Sequence, residues 1–255
     1  TGSSSTLVAS VSANPTSWAI SMGWHDLLFA HWPVDPGFLS SLLPRTDPPL
    51  ELDLREGQAW LGIVPFRMSG IRWRWLPPFP GTHAFTELNV RTYVRAGGRP
   101  GVWFFSLDAA SKLAVRLART TYHLPYFDAA MRLENAPNPG RIRYQSRRTH
   151  AGGGTAELDV TYGPTGNPFT AQPGTLEHWL TERYRLFAAH PSGRLRRGEI
   201  QHRPWPLQAA SAEFNTLNMT RWLGVELPPQ EPHLLFAREL SVKAAPLVPA
   251  GMDPR

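Results

Sequence analysis

The chain has 255 residues, of which 42% are apolar, 18% are charged and none is cysteine. Its 10 Trp, 12 Phe and 6 Tyr supply enough apolar bulk for a sizeable core, which excludes disorder and coiled coil, and no apolar run reaches the ~18 residues of a bilayer span. The missing cysteines exclude a disulfide scaffold, a thiolate zinc site and a thiol nucleophile.

Residues 1–21 are Ser/Thr-rich at their start, and no charge appears before His25 and Asp26. A secretory signal begins with a positive segment, and this one has none. Met22 is therefore expected to be the natural start, with 1–21 a disordered extension, 22–245 a single domain, 246–255 a tail, and a cytoplasmic location. Residues 24–32 are apolar and aromatic until Pro33, and Asp35-Pro36 opens a short helix to Leu43. Residues 50–54 and 59–68 read as strands, and 70–81, with Trp73, Trp75 and three prolines, as a long ordered loop.

Residues 86–95 are the clearest strand. Leu88, Val90, Thr92 and Val94 share one face, and Glu87, Asn89, Arg91, Tyr93 and Arg95 the other. Gly97-Gly98 turns into a second strand, 102–107, after which Asp108 is expected to cap a helix over 109–121. Strands follow at 129–133, 141–149 and 155–162, a helix preceded by Pro173-Gly174-Thr175 and running to Ala189, a strand at 195–202, a helix near 214–223 and a strand at 234–242. About nine strands with hairpin spacing and no βαβ rhythm define an antiparallel α+β class with a barrel at its centre.

The net charge of +6 hints at nucleic acid, but 24 of the 26 basic residues are arginine and 26 residues are proline. That bias is what GC-rich codon usage produces. The densest arginine stretches, 141–148 and 194–203, alternate with apolar residues, as the solvent face of a strand does. Nucleic-acid binding is the lesser reading.

If the polar face of strand 86–95 points into a barrel lumen, Glu87, Asn89 and Arg91 can bracket a small carboxylate or carbonyl. Arg119, His123 and Tyr126 follow on the next helix and loop. Among these, Glu87 or His123 is the candidate proton carrier and Arg119 the candidate oxyanion stabiliser, all three catalytic candidates. Asn89, Arg91, Tyr126 and His31 are the ligand-binding candidates. His25 and His31 stand six apart, a spacing that fits neither a helical metal pair nor HExxH, so no metal is assigned, and no cofactor motif occurs. The two lysines, Lys112 and Lys243, lie outside this group.

Residues 27–34 (LLFAHWPV), 59–68 (AWLGIVPFRM), 87–95 (ELNVRTYVR), 101–109 (GVWFFSLDA) and 118–126 (ARTTYHLPY) resemble, in order, the YqjF-like family of uncharacterised bacterial proteins. That family is similar to a distant branch of the acetoacetate decarboxylase-like superfamily. The resemblance implies a cone-shaped antiparallel β-barrel with three or four peripheral helices, and a homo-oligomer of at least two chains. It places the decarboxylases' pocket glutamate on Glu87 and an arginine on Arg119. Their Schiff-base lysine falls beside Pro125, where Tyr126 and Phe127 stand, and neither ring forms an imine. The expectation is a small-molecule-binding barrel, for an organic acid or carbonyl compound, whose chemistry is lyase, isomerase or hydrolase acid–base catalysis without the amine. The alternative is a non-catalytic sensor or carrier.

Overall fold

Period-two alternation dominates the chain, and the computed structural model turns nearly all of it into sheet. It describes residues 18–75, 84–111, 115–116, 119 and 123–251. The strands are β1 (Ile20–Val34), β2 (Glu51–Leu52), β3 (Ala59–Trp73), β4 (Ala84–Ala96), β5 (Arg99–Ala109), β6 (Tyr126–Asn135), β7 (Ile142–Arg148), β8 (Glu157–Pro164), β9 (Arg185–Ala189), β10 (Leu195–Gln201), β11 (Leu207–Leu217), β12 (His233–Ala244) and β13 (Val248–Pro249). Among the described residues there are also two short helices with full bounds, α1 (Pro36–Ser41) and α2 (Leu176–Thr181), and a 3-10 turn at Arg221–Leu223. Asp35 caps α1 as its sequence position requires, its carboxylate accepting from the Phe38 N–H at 2.6 Å.

All 13 strands belong to one sheet that closes on itself twice. The ring β4–β3–β1–β12–β10–β9–β5 returns to β4, and the ring β5–β6–β7–β8–β11–β12–β1–β3–β4 returns to β5. The strands β12, β1, β3, β4 and β5 are common to both, so this wall is buried on its two faces. One face carries Leu28, Ala30, Ile63, Leu88 and Val90, which pack on Tyr144, Leu158, Val160 and Tyr162 of the larger ring. The other carries Leu27, Phe29, Val64, Phe66 and Leu235 and looks into the smaller ring. Such double burial explains why strands 24–32 and 59–68 read as near-continuous apolar runs.

Long strands stay in this arrangement by bulging. The β1–β3 register shifts between His25 and Ala30, and Asp26 there takes φ +56°. Its carbonyl accepts from the buried Tyr162 hydroxyl at 2.6 Å, and its carboxylate takes Arg238 at 2.7 Å.

Several expected elements differ. Ile20 and Ser21 are paired in β1 with both β12 and β3, so they are not part of an extension; residues 1–17 lie outside the described residues. The loop expected at 70–81 is strand as far as Trp73, held by pairing to Ile20; residues 76–83 lie outside the described residues. Asp108 caps no helix: β5 runs through Ala109, and the Asp108 carboxylate meets the Arg148 Nε at 2.6 Å with both side chains fully buried. Helix is seen at Val115, Arg116 and Arg119, and much of the rest of 109–121 lies outside the described residues.

The helix expected to reach Ala189 stops at Thr181, because residues 185–189 ladder with both β5 and β10. Of the helix expected near 214–223, Arg221–Leu223 forms a single 3-10 turn and residues 214–217 belong to β11. A bulge between Phe214 and Thr216 breaks its alternation, which is what made the segment look helical. Arg148 and Arg197, expected on a solvent face, are buried. Arg141 reaches Glu213 and the Thr161 carbonyl, Arg143 reaches Asp159, and Arg197 reaches Glu199, so much of the arginine excess is taken up internally.

Candidate functional site

The smaller ring encloses a cavity of about 220 Å3. Its lining alternates along each strand, as the pleat requires: Phe85, Glu87, Asn89 and Arg91 from β4, and Val64, Phe66, Met68, Ile71 and Trp73 from β3. Register sets their depth. Met68 lies opposite Phe85, Phe66 opposite Glu87, Val64 opposite Asn89 and Gly62 opposite Arg91. Ile20, Trp73 and Ala244, which pair with one another where β1, β3 and β12 begin and end, form a half-buried apolar rim. Glu87, Asn89, Phe29, Thr181 and Arg183 are buried in the interior.

Glu87 is 2% exposed, and its Oε2 accepts from the Tyr126 hydroxyl at 3.1 Å. Burial pushes its carboxyl up to about 8, the negative charge of Asp108 adds to that, and the Tyr126 donation opposes it. Glu87 is therefore a neutral carboxylic acid near pH 7, held in place by its backbone: the fully buried Tyr144 hydroxyl donates to the Glu87 carbonyl at 2.8 Å.

Arginines supply the other charge. Arg183 lines the cavity; its Nη1 donates to Asp53 at 2.6 Å and its Nε to the Trp179 carbonyl at 2.6 Å. Arg91 also lines the cavity and makes only long contacts, 3.5 Å to the Tyr93 hydroxyl and 3.4 Å to the Leu180 carbonyl. Arg91 Nε, Arg183 Nη2 and Asn89 Oδ1 are all buried without a hydrogen-bond partner among the described residues. Arg185, at the same side, is paired with Glu199.

His31 sits behind this layer. The Tyr93 hydroxyl donates to the Leu180 carbonyl at 2.9 Å, so it accepts from His31 Nε2 at 2.7 Å. That fixes the Nε2–H tautomer and leaves Nδ1 without a partner among the described residues. Burial, then the nearby Arg91 charge, hold the His31 ring well below its usual value. His31 does not line the cavity; it supports the Tyr93 and Arg91 layer from outside.

Two candidates leave the site. Arg119 is exposed, and its Nη1 donates to the Tyr126 carbonyl at 3.1 Å and to His150 Nε2 at 2.7 Å. His150 in turn meets Asp128 at 3.1 Å, so Arg119 ties its helix to β6 rather than facing the lumen. His123, at φ +50°, turns its ring edge-on to His190 at 4.9 Å. Among the described residues of this segment, Leu124 and Tyr126 line the cavity. Glu87, Asn89, Arg91 and Tyr126 are brought together as the strand pattern implies.

Arg183, Thr181 and Asp53 are additions that the sequence reading missed. The signal was present in the alternation from Arg183 to Ala189, which the helical reading of the segment hid. No amine lines the cavity among the described residues: Lys243 is exposed on β12, and Lys112 lies outside the described side chains. No group of three or more His, Asp or Glu among the described residues is placed to hold a metal ion. No described helix is long and apolar enough to cross a membrane.

The doubly closed sheet and its enclosed pocket place the chain in the class of acetoacetate decarboxylase-like barrels. Its structure is similar to the enduracididine biosynthesis enzyme MppR complexed with pyruvate, at a TM-score of 0.61 and 15% identity over 94% of this chain and 93% of that one. It is also similar to acetoacetate decarboxylase from Legionella pneumophila, at 0.59 and 14% over 91% and 88%. Identities this low carry the fold alone. In sequence, the chain belongs to the DUF2071 family of uncharacterized conserved proteins, which it matches over residues 21–241. It is 45% identical over 230 residues to the uncharacterized protein YqjF of Bacillus subtilis (strain 168), covering 90% of this chain and 92% of that protein.

Proposed function

We propose that the barrel binds a small carbonyl-bearing organic molecule and carries out proton transfer on it without a covalent amine, with Glu87 as the acid and Tyr126 as its partner. The observation that carries this reading is the neutral Glu87 carboxyl hydrogen-bonded to a phenol inside a mostly apolar cavity. The Glu87 O–H, its carboxyl held by the Tyr126 donation, protonates a carbonyl oxygen as it gains negative charge while solvent water takes the proton from the adjacent carbon, and a carboxyl that stays protonated near neutral pH suits the donor role. The pyruvate named with MppR and the substrate named for acetoacetate decarboxylase support a carbonyl compound as the ligand class. Imine formation is not available to Tyr126, which occupies the cavity position in question.

The test is deuterium exchange in D2O, followed by NMR, at carbons adjacent to the carbonyl across a panel of keto acids and ketones. The wild-type protein should accelerate wash-in for some members, and Glu87→Gln should lose about 100-fold or more of it. A borohydride-trapped adduct on Lys112 or Lys243 would overturn the non-covalent route. Exchange that persists in Glu87→Gln would remove Glu87 from the chemistry. The apolar lining supports a carrier as the second reading, for which ligands bind saturably with no exchange.

A further inference from the structure

Charge and depth are distributed unevenly in this cavity. The rim is apolar: Ile20, Ile71, Trp73 and Phe85 are half-buried, and none carries a charge. Farther along β4, about 13 Å from Glu87 by strand rise, stands Arg91. No carboxylate of the described residues pairs with it, and its Nε has no partner. Arg183 shares Asp53 with Arg95, whose Nε lies 2.6 Å from that carboxylate, so one negative charge answers two positive ones. With Glu87 neutral and Arg95 exposed to solvent, the half-buried Arg91 leaves this end of the cavity with a net positive charge. A guanidinium with buried, idle N–H groups, as at Arg91 Nε and Arg183 Nη2, is matched best by a carboxylate.

Resting on the reading of this cavity as a ligand site, we propose that Arg91 and Arg183 form a head-group subsite for an apolar-tailed monocarboxylate, which enters carboxylate first and leaves its tail in the rim. Asp53 is the positioning residue. It takes Nη1 of Arg183 while the Trp179 carbonyl takes Nε, which fixes the guanidinium plane and leaves Nη2 for the ligand. The spacing excludes the smallest keto acids as full occupants, because their carbonyl and carboxylate are adjacent, whereas here the acid and the arginine are separated along the strand. A volume of about 220 Å3 equals that of roughly seven waters, or an extended ligand of roughly ten non-hydrogen atoms such as octanoate.

The experiment is a fluorescence titration, since Trp24 and Trp205 line the cavity, with octanoate, octanamide and butyrate. Octanoate should bind saturably, at least tenfold tighter than either of the other two. Arg91→Met should weaken octanoate at least tenfold and leave octanamide unchanged. Arg183→Lys, which keeps the charge but loses the fork, should weaken octanoate severalfold, and serves if the Arg91 variant does not fold. Octanamide binding as tightly as octanoate, or octanoate binding indifferent to both substitutions, would overturn the subsite; butyrate as tight as octanoate would overturn the tail. Saturated alkanoates need no proton transfer, so this titration and the exchange assay can each fail without the other.

Discussion

Replacing Glu87 with glutamine should change how stability depends on pH, and the structure gives the sign and the size. The folded carboxyl titrates at about 8 against an ordinary value of 4.5. Between those values the unfolded chain releases a proton that the folded chain keeps. Wild-type stability therefore falls as pH rises through this window, by about 1.4 kcal/mol per unit, and levels off above pH 8; below pH 4.5 the group contributes nothing. Three units, from 4.5 to 7.5, correspond to about 4 kcal/mol, and Glu87 is too deeply buried for solvent to screen this. Glutamine has no such proton. The difference in unfolding free energy between Glu87→Gln and wild type should thus grow in favour of the variant by on the order of 4 kcal/mol from pH 4.5 to 7.5. Urea unfolding of both proteins across that range reads the difference directly, with other titrating groups cancelling. A difference that stays flat from pH 5 to 8 would mean that Glu87 is ionised in the fold, and the neutral-acid reading would go with it.

Tyr126→Phe removes the donation that holds the Glu87 carboxyl down, so its titration midpoint, followed by carboxyl-selective 13C NMR, should move upward; an unchanged or lower midpoint refutes the contact. His31 is kept neutral in the fold and protonates below 6.5 when unfolded, so wild type should lose up to about 1.4 kcal/mol per unit as pH falls below 6.5. His31→Gln should flatten that limb, and parallel curves for the two proteins would contradict it. Asp108→Asn leaves the Arg148 guanidinium, packed between Phe127 and Trp222, without its buried partner. Its unfolding free energy should drop by about 3–5 kcal/mol, and a loss under about 1 kcal/mol would show that the pair is not desolvated.

The site residues were legible to different degrees, for identifiable reasons. Glu87, Asn89 and Arg91 were readable because period-two alternation puts them on one face whatever the sheet does next. Tyr126 was readable from its place after Pro125. Arg119 and His123 were misplaced because, among the described residues, their segment meets the cavity at Leu124 and Tyr126, and a sequence does not say where a loop re-enters. Arg183 was hidden because Leu176, Leu180 and Phe187 suit a helix as well as a helix followed by a strand.

The amino-acid order alone determined an antiparallel strand-rich domain, the two faces of β4 and the lack of a lysine beside Pro125, all of which follow from local geometry and residue chemistry. Only the tertiary structure decided that both faces of the shared wall are buried, and that the polar one encloses a cavity. Ring closure is a pairing of strands far apart in the chain, β1 with β12 and β5 with β9. Burial by those distant partners is what keeps Glu87 protonated and takes Arg183 out of water.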